Sequence, residues 1–186
     1  KQRQHKAISL TPRIILSVGF FWRKGMSFIS IKDNFFSEEN YNKIAEHMLT
    51  VDYGAPSDGA CFMKCLDQEE FPVSIINERI KKVFNIDFKE VSRPTCYTMV
   101  GASDMPRPHD DLEWGCTFQC LIYMKGDELI NNGTGFYTKK EDKNILSTHV
   151  GFKQNRAILF SSTIIHSPLQ WAGESSFRYS ICNFLR

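Results

Sequence analysis

The chain has 186 residues, of which 42% are hydrophobic, so it is long enough to form one globular domain with a substantial core. Its 23 basic and 21 acidic residues give a net charge of +2, which offers no reason to expect a strongly acidic partner such as duplex nucleic acid. Six cysteines are too few for a disulfide-based fold of this size, and their spacing does not match a zinc finger. We therefore expect reduced, mostly buried thiols.

The first 25 residues differ in composition from the rest of the chain. Residues 1–13 are basic, and Ile14–Trp22 is a short apolar run. This run is far shorter than the roughly 20 residues of a membrane-spanning helix, and no small-residue cleavage signal follows it. We expect residues 1–25 to be an N-terminal extension of uncertain order and residues 26–186 to form a single domain. With no targeting signal and no membrane attachment, we expect a cytoplasmic protein.

Two helices are predicted in the N-terminal half. A short alternating strand at Ile29 and Ile31 precedes Ser37, which is a suitable N-cap for a helix with acidic residues in its first turn. Apolar residues follow at helical spacing and form one buried stripe, namely Tyr41, Ile44, Ala45 and Met48. A second amphipathic helix is predicted over Pro72–Phe84.

From Phe88 onward the pattern changes to short strands separated by turn residues. The candidate strands are Cys96–Val100, His109–Leu112, Thr117–Met124, Gly135–Thr138, Ala157–Phe160 and Phe177–Phe184. Two helices followed by a run of strands predict an α+β chain that is mainly β, with the helices packed on one face of a β-sandwich or barrel.

The string Arg107-Pro108-His109-Asp110-Asp111 is the most informative part of the sequence. His109 and Asp111 stand two apart, so on an extended strand their side chains leave the same face and can bind one ion. Together with His166 on another strand, they are typical of the facial triad of non-haem Fe(II) enzymes, which leaves coordination positions open. Asp110 remains an alternative ligand if the strand is distorted.

Arg178 and Ser180 follow His166 and share one face of the last predicted strand. A planar guanidinium donates two parallel hydrogen bonds to a carboxylate, and a neighbouring hydroxyl can add a third. This pair predicts a clamp for a carboxylate at some distance from the metal.

The ordered set of motifs resembles the 2-oxoglutarate and Fe(II)-dependent dioxygenases, and their prolyl-4-hydroxylase-like branch most of all. The resemblance runs from Tyr97 to Arg186, about half of the chain. The matching motifs are Cys96-Tyr97 with Gly101, His109-x-Asp111, Leu121-Ile122-Tyr123-Met124, Gly133-Thr134-Gly135-Phe136, Asn155 to Phe160, His166, Gly173 and Arg178-Tyr179-Ser180.

This resemblance implies a double-stranded β-helix core (jelly-roll or cupin-like), with the N-terminal helices packed on one face. It also implies catalytic iron ligands, which are His109, Asp111 and His166. Arg178 would bind the distal carboxylate of 2-oxoglutarate, and Ser180 completes the arginine motif. Tyr97 and Tyr123 match tyrosines that line the cosubstrate pocket, although packing within a β-core explains them equally well.

The implied activity is hydroxylation of a protein prolyl residue or a small molecule, with conversion of 2-oxoglutarate to succinate and CO2. The implied cofactors are Fe(II), 2-oxoglutarate and dioxygen, with ascorbate as a candidate reductant. A carboxylate at Asp111 argues against the halogenating members, which vacate that position for halide. The implied partner is therefore a peptide, a protein or a small molecule, and not a nucleic acid.

The sequence departs from the family pattern around His109, which is followed by two aspartates and preceded by an unusual loop. The stretch between Gly101 and His109 is longer than usual and contains Pro106 and Pro108. Two tryptophans, Trp114 and Trp171, could flank an entrance to the site, but packing is the more common role of such residues.

Two other classes of function stay open. A metal-binding β-barrel without oxygenase activity would keep the triad but would have no need of Arg178. A structural or interaction protein would carry the histidines incidentally. A nucleic-acid dealkylase is a rival within the enzyme class, which the weak net charge disfavours.

Overall fold

The computed structural model describes residues 28–54, 61–101, 107–169, 173 and 177–186. The predicted extension, residues 1–25, and Trp171 lie outside the described residues. In chain order the elements are β1 (Ile29–Lys32), α1 (Glu38–Thr50), β2 (Phe62–Cys65), α2 (Val73–Phe84), β3 (Cys96–Gly101), a 3-10 helix (Leu112–Trp114), β4 (Phe118–Lys125), β5 (Gly133–Lys140), β6 (Lys143–Gly151), β7 (Arg156–Ser161), β8 (Ile165–Pro168) and β9 (Phe177–Leu185).

The described strands form two antiparallel sheets. The larger has six strands in the order β1-β7-β4-β9-β3-β2, and the smaller has three in the order β6-β5-β8. Side chains of a strand alternate between its faces, so β4 and β7 each contribute to two separate cores. The α+β prediction, with a predominance of strand, is confirmed.

One core lies between the helices and the outer face of the larger sheet. It contains Ile44 and Met48 of α1, Ile76 and Ile80 of α2, and Ile122 of β4. As predicted, Ser37 caps α1, its hydroxyl accepting a hydrogen bond from the Asn40 N–H at 3.4 Å. Burial of these apolar stripes fixes both helices against the sheet. Neither helix is long and apolar enough to cross a membrane, among the residues described.

The second core lies between the two sheets. It is formed mainly by aromatic and branched side chains, which are Tyr123, Phe136, Val150, Phe152, Ile158 and Phe160. Phe160 packs edge-on against His166, with ring centroids 4.7 Å apart. Two of the predicted site residues, Tyr123 and His166, therefore lie in or against the core between the sheets.

Three strands were not predicted, and one predicted strand is wrong beyond its first residue. The unpredicted strands are β2, β6 and β8. The strand proposed over His109–Leu112 is reduced to a single bridge at His109, and the chain then turns into the 3-10 helix that begins at Leu112. The backbone at Asp111 (φ −110°, ψ 20°) is not extended.

Candidate metal and carboxylate site

The backbone joins His109 directly to His166 of β8. The His109 N–H donates to the His166 carbonyl at 3.0 Å, and the His166 N–H donates to the His109 carbonyl at 2.8 Å. This reciprocal exchange makes them a hydrogen-bonded antiparallel pair, whose side chains leave the same face. Their ring centroids are 4.7 Å apart.

Hydrogen bonds to the backbone set the tautomer of both rings. Nδ1 of His109 lies 2.8 Å from the Arg107 carbonyl oxygen, and Nδ1 of His166 lies 3.0 Å from the Ile164 carbonyl oxygen. A carbonyl oxygen only accepts, so each Nδ1 carries the proton and each Nε2 presents a lone pair. This is the tautomer that a metal ligand bound through Nε2 requires.

Asp111 completes the group from the turn that follows His109. Its N–H donates to the Ser162 carbonyl at 3.1 Å, and its side chain is fully buried. Oδ1 lies 3.9 Å from Nε2 of His109, and Oδ2 lies 3.5 Å from Nε2 of His166. The potential ligand atoms of the three residues all lie within 4.8 Å of one another.

The Asp111 carboxylate lacks the partners that a buried charge needs. Neither oxygen accepts a hydrogen bond from any described residue. A buried carboxylate without compensation is costly, and a bound cation removes that cost. The combination of two imidazole nitrogens and one carboxylate suits a first-row transition metal such as Fe(II).

The electrostatics of the site agree with metal ligation. Burial raises the pKa of Asp111 to about 6, although the neighbouring His109 opposes this effect. Burial, with a smaller contribution from His109, lowers the pKa of His166 to about 4. His166 is therefore neutral at physiological pH, as a ligand must be.

The neighbouring Asp110 has a different environment. It is exposed, and its Oδ1 accepts a hydrogen bond from the Leu112 N–H at 3.2 Å, as in an Asx turn. Of the two adjacent aspartates, only Asp111 lies beside the histidines. Asp111 therefore remains the predicted ligand, although the strand is distorted.

Arg178 is a buried cation on the inner face of β9. Only 2% of its surface is exposed, and its Nη1 donates to the Gly133 carbonyl. Its Nε finds no acceptor in the described part of the chain, and none of the ion pairs among described residues involves it. A buried guanidinium in this state is suited to bind a carboxylate that comes from outside the chain.

Gly133 is required for the contact with Arg178. Its φ is +136°, and a Cβ atom there would lie 2.1 Å from the Val150 carbonyl oxygen. Any other residue would displace the β5 backbone and with it the carbonyl that orients the guanidinium.

The two predicted tyrosines lie on opposite faces of the larger sheet. Tyr123 is paired with Ser180 across β4 and β9, and the Arg178 guanidinium lies 5.8 Å from its ring centroid. Its hydroxyl donates to Thr134 Oγ1 at 2.8 Å, and burial raises its pKa to about 12. Tyr123 and Ser180 therefore share the inner face with Arg178.

Tyr97 does not join this group. It is paired with Ile181 across β3 and β9, and both belong to the core beneath the helices. Its hydroxyl lies 3.0 Å from Nδ1 of His47 on α1. The structure therefore gives Tyr97 a packing position on the outer face, away from Ser180.

Comparison with solved structures identifies the fold. No protein-family model and no curated protein matches the sequence. A prolyl-4-hydroxylase from Pseudomonas putida is similar with a TM-score of 0.58 and 11% identity, covering 85% of this chain and 91% of the other. The chain has the double-stranded β-helix fold of the 2-oxoglutarate and Fe(II)-dependent oxygenases. The resemblance found in the sequence is confirmed at this level.

Two further structures share the fold. A prolyl hydroxylase from Trichoplax adhaerens, in complex with a hypoxia-inducible-factor peptide fragment, has a TM-score of 0.60 and 13% identity, covering 84% of this chain and 82% of the other. The α-ketoglutarate-dependent epimerase SnoN from nogalamycin biosynthesis has a TM-score of 0.62 and 8% identity, covering 86% of this chain and 78% of the other.

Sequence reasoning missed two inner-face residues of this oxygenase fold. Cys182 continues the alternation of Arg178 and Ser180. Burial is the main cause that raises the pKa of its thiol; Asp111 adds a smaller upward contribution, and Arg178 opposes it. Gln119 of β4 is buried opposite Phe160, and its Oε1 finds no hydrogen-bond donor among the described residues. The period-two alternation from Arg178 and Tyr123 was the signal that could have found both.

Trp114 is held by packing. Its ring contacts that of Phe184, with centroids 4.6 Å apart, and the Arg93 guanidinium lies 4.2 Å from it. These contacts give Trp114 a packing role against the end of β9.

Proposed function

We propose that the protein is a 2-oxoglutarate- and Fe(II)-dependent dioxygenase that hydroxylates a peptide or small-molecule substrate. The observation that carries the proposal is the environment of Asp111, a fully buried carboxylate with no described hydrogen-bond donor, beside two Nε2 lone pairs. The oxygenase fold also supports the proposal. The sequence resemblance, independently of the structure, implied the same three residues as ligands.

In this proposal His109, Asp111 and His166 hold Fe(II). Bound Fe(II), with 2-oxoglutarate and dioxygen, supplies the oxidising chemistry that yields succinate, CO2 and a hydroxylated product. The protein contributes orientation: the two backbone carbonyls hold the imidazoles in the ligating tautomer, and Phe160 packs against the ring of His166.

Arg178 orients the cosubstrate. Its buried guanidinium, with Nε available among the described residues, is suited to pair with the distal carboxylate of a dicarboxylic acid. Tyr123 and Ser180, on the same inner face, are placed to line the same pocket. A simple metal-binding barrel has no use for this buried cation, which favours the enzyme over the non-catalytic alternative.

The substrate is the less constrained part of the proposal. The Trichoplax adhaerens structure holds a peptide, which supports a peptide substrate, whereas the epimerase SnoN comes from the biosynthesis of a small molecule. The side chain of His109 is 45% exposed, so an ion held by these three residues would be within reach of a substrate of either class. The net charge of +2 does not favour a nucleic acid.

Turnover without substrate tests the activity directly. The full chain, reconstituted anaerobically with Fe(II) and then given 2-oxoglutarate, ascorbate and air, should release succinate. His166→Ala should release no more than the buffer, while Asp110→Asn should behave as the unaltered protein. Equal succinate from His166→Ala and the unaltered chain would exclude the proposed site.

An anaerobic titration separates the enzyme from a metal-binding barrel. A charge-transfer absorption on adding 2-oxoglutarate to the Fe(II) protein, lost in Arg178→Met, supports the enzyme. Stoichiometric Fe(II) binding without that absorption in the unaltered protein supports the non-catalytic barrel.

A further inference from the structure

Two cysteines are in direct contact on neighbouring strands at one edge of the larger sheet. The register of β2 and β3 places Cys65 opposite Cys96, and their sulfur atoms are 2.9 Å apart. Opposed residues of antiparallel strands have Cα atoms about 4.5 to 5.5 Å apart. This lies within the roughly 4.4 to 6.8 Å that a disulfide spans, so a bond between them requires no movement of either strand.

The two thiols differ in their access to solvent. Cys65 is exposed, whereas Cys96 is only 3% exposed and donates to the Pro94 carbonyl at 3.2 Å. Burial raises the pKa of Cys96, and the contact with Cys65 adds to this shift. An oxidant in solution therefore meets Cys65 first, with Cys96 already in position beside it. Solvent access and a neighbouring second thiol are two features that redox-responsive cysteine pairs share.

We propose that Cys65 and Cys96 form a reversible disulfide when the protein meets hydrogen peroxide. The peroxide transfers one oxygen atom to the Cys65 sulfur, which gives a sulfenic acid and one water. The Cys96 sulfur then attacks the Cys65 sulfur, the S–O bond breaks, and a second water leaves with the Cys96 proton. Two thiols thus lose two electrons and two protons, and one peroxide becomes two waters. A dithiol reductant reverses the bond by exchange.

Cys96 has a second cysteine neighbour. Cys182 of β9 lies opposite Cys96 on the side away from Cys65, and β9 also carries Arg178. Cys182 is therefore the internal competitor for Cys96, and the contact between the Cys65 and Cys96 sulfurs favours their bond. Because the pair lies outside the proposed metal ligands, the inference does not depend on oxygenase activity.

Thiol mapping of the iron-free full chain tests the proposal. After treatment with one equivalent of peroxide, alkylation should label four of the six cysteines, and mass spectrometry should find a Cys65–Cys96 linked peptide lighter by two hydrogen atoms. Dithiothreitol should restore all six thiols. Six labelled cysteines after peroxide, or a Cys96–Cys182 link in its place, would overturn the proposal.

Three variants sharpen this test. Cys65→Ser should form no link, and since Cys65 is exposed, this variant should fold normally. Cys96→Ser should leave a sulfenic acid on Cys65 that dimedone traps. Cys61→Ser, altered four residues away, should form the link as the unaltered chain does. Loss of the link in Cys61→Ser, or its survival in Cys65→Ser, would contradict the assignment.

Discussion

His109 and His166 are held together by two backbone hydrogen bonds to each other, of 3.0 and 2.8 Å. The two imidazoles, far apart in the chain, are thus set side by side by main-chain geometry, which is insensitive to the side chains themselves. Substituting either histidine should therefore remove a candidate ligand without disturbing the segment that carries the other.

Substitution of the two adjacent aspartates should separate the ligand from its neighbour. We expect Asp111→Asn to weaken Fe(II) or Mn(II) binding by more than about 100-fold, because a charged ligand is lost from a buried site. Asp110→Asn should change the affinity little, since Asp110 is exposed. Anaerobic calorimetric titration measures both. Equal losses in the two variants would contradict the assignment of Asp111.

The metal-free protein should be destabilised by Asp111 at neutral pH. Its pKa rises from 3.8 to about 6 on folding, so folding favours the protonated form. Protonation of Asp111 makes its full contribution to the free energy of unfolding below about pH 4, and this contribution is lost as the pH rises through 6. Asp111→Asn should therefore raise the free energy of unfolding at pH 7 by about 3 kcal/mol, and by about half of that at pH 5.

Urea unfolding of the metal-free chain at the two pH values checks this expectation. Asp110→Asn is the control and should show a much smaller dependence, because the Asp110 charge contributes less than burial to the raised pKa of Asp111. A difference between Asp111→Asn and the unaltered chain that stays constant with pH would rule out the raised pKa as its cause.

Arg178→Met should impair 2-oxoglutarate binding while leaving metal binding intact. Truncating one partner of a buried charge pair costs about 2 to 5 kcal/mol, so the half-saturating concentration should rise on the order of 30-fold or more. Arg156→Met is a matched control, because Arg156 on β7 already pairs with Asp33 at 2.6 Å. Succinate assays over a range of 2-oxoglutarate concentrations give the half-saturating concentration of each variant. Similar increases in Arg178→Met and Arg156→Met would refute the role of Arg178 as the carboxylate clamp.

The two tyrosines should respond differently to loss of the hydroxyl. Tyr123→Phe removes a hydroxyl beside Arg178 whose proton would turn from Thr134 to a cosubstrate carboxylate. It should raise the half-saturating 2-oxoglutarate concentration about five-fold, as expected for one hydrogen bond of about 1 kcal/mol. Tyr97→Phe should leave it unchanged, since Tyr97 faces His47. The same assay distinguishes them, and a larger effect at Tyr97 would reverse the assignment.

The oxidised chain should be more stable than the reduced chain. Cys65 and Cys96 are 31 residues apart, and a crosslink closing such a loop stabilises by about 3.5 kcal/mol in the chain-entropy model. Urea unfolding with and without dithiothreitol measures the difference. Cys65→Ser should show none, and identical midpoints for the two forms of the unaltered chain would contradict the expectation.

Much of the fold was predictable because local patterns are strong. The Ser37 cap, the apolar stripe of α1 and the alternation of β9 each agree with the final packing. β8 was missed because it is only four residues long and ends at Pro168, a residue that weakens a strand signal. β6 was missed because most of its residues are exposed, so that no apolar alternation marks it.

The residue types of the candidate site could be predicted from the sequence. The face of the sheet on which each side chain lies could not. Residues on both faces of β3 are buried, and Tyr97 belongs to the core beneath the helices, so alternation cannot tell which face of β3 meets the pocket. For that reason Tyr97 could not be distinguished from an inner-face residue. The 3-10 turn after Asp111 was likewise hidden, because His-x-Asp fits an extended strand equally well.

The carbonyl contacts of the two imidazoles have a consequence for metal selectivity. Because both Nδ1 atoms are already hydrogen-bonded to backbone carbonyl groups, folding itself orients the two imidazoles. Binding of an ion then requires little further ordering of these side chains. Two neutral nitrogens and one carboxylate offer no geometric discrimination against Co(II), Ni(II) or Zn(II), which generally bind such donors more tightly than Fe(II) does. If the proposed function holds, iron loading should thus depend on which ion the cell makes available.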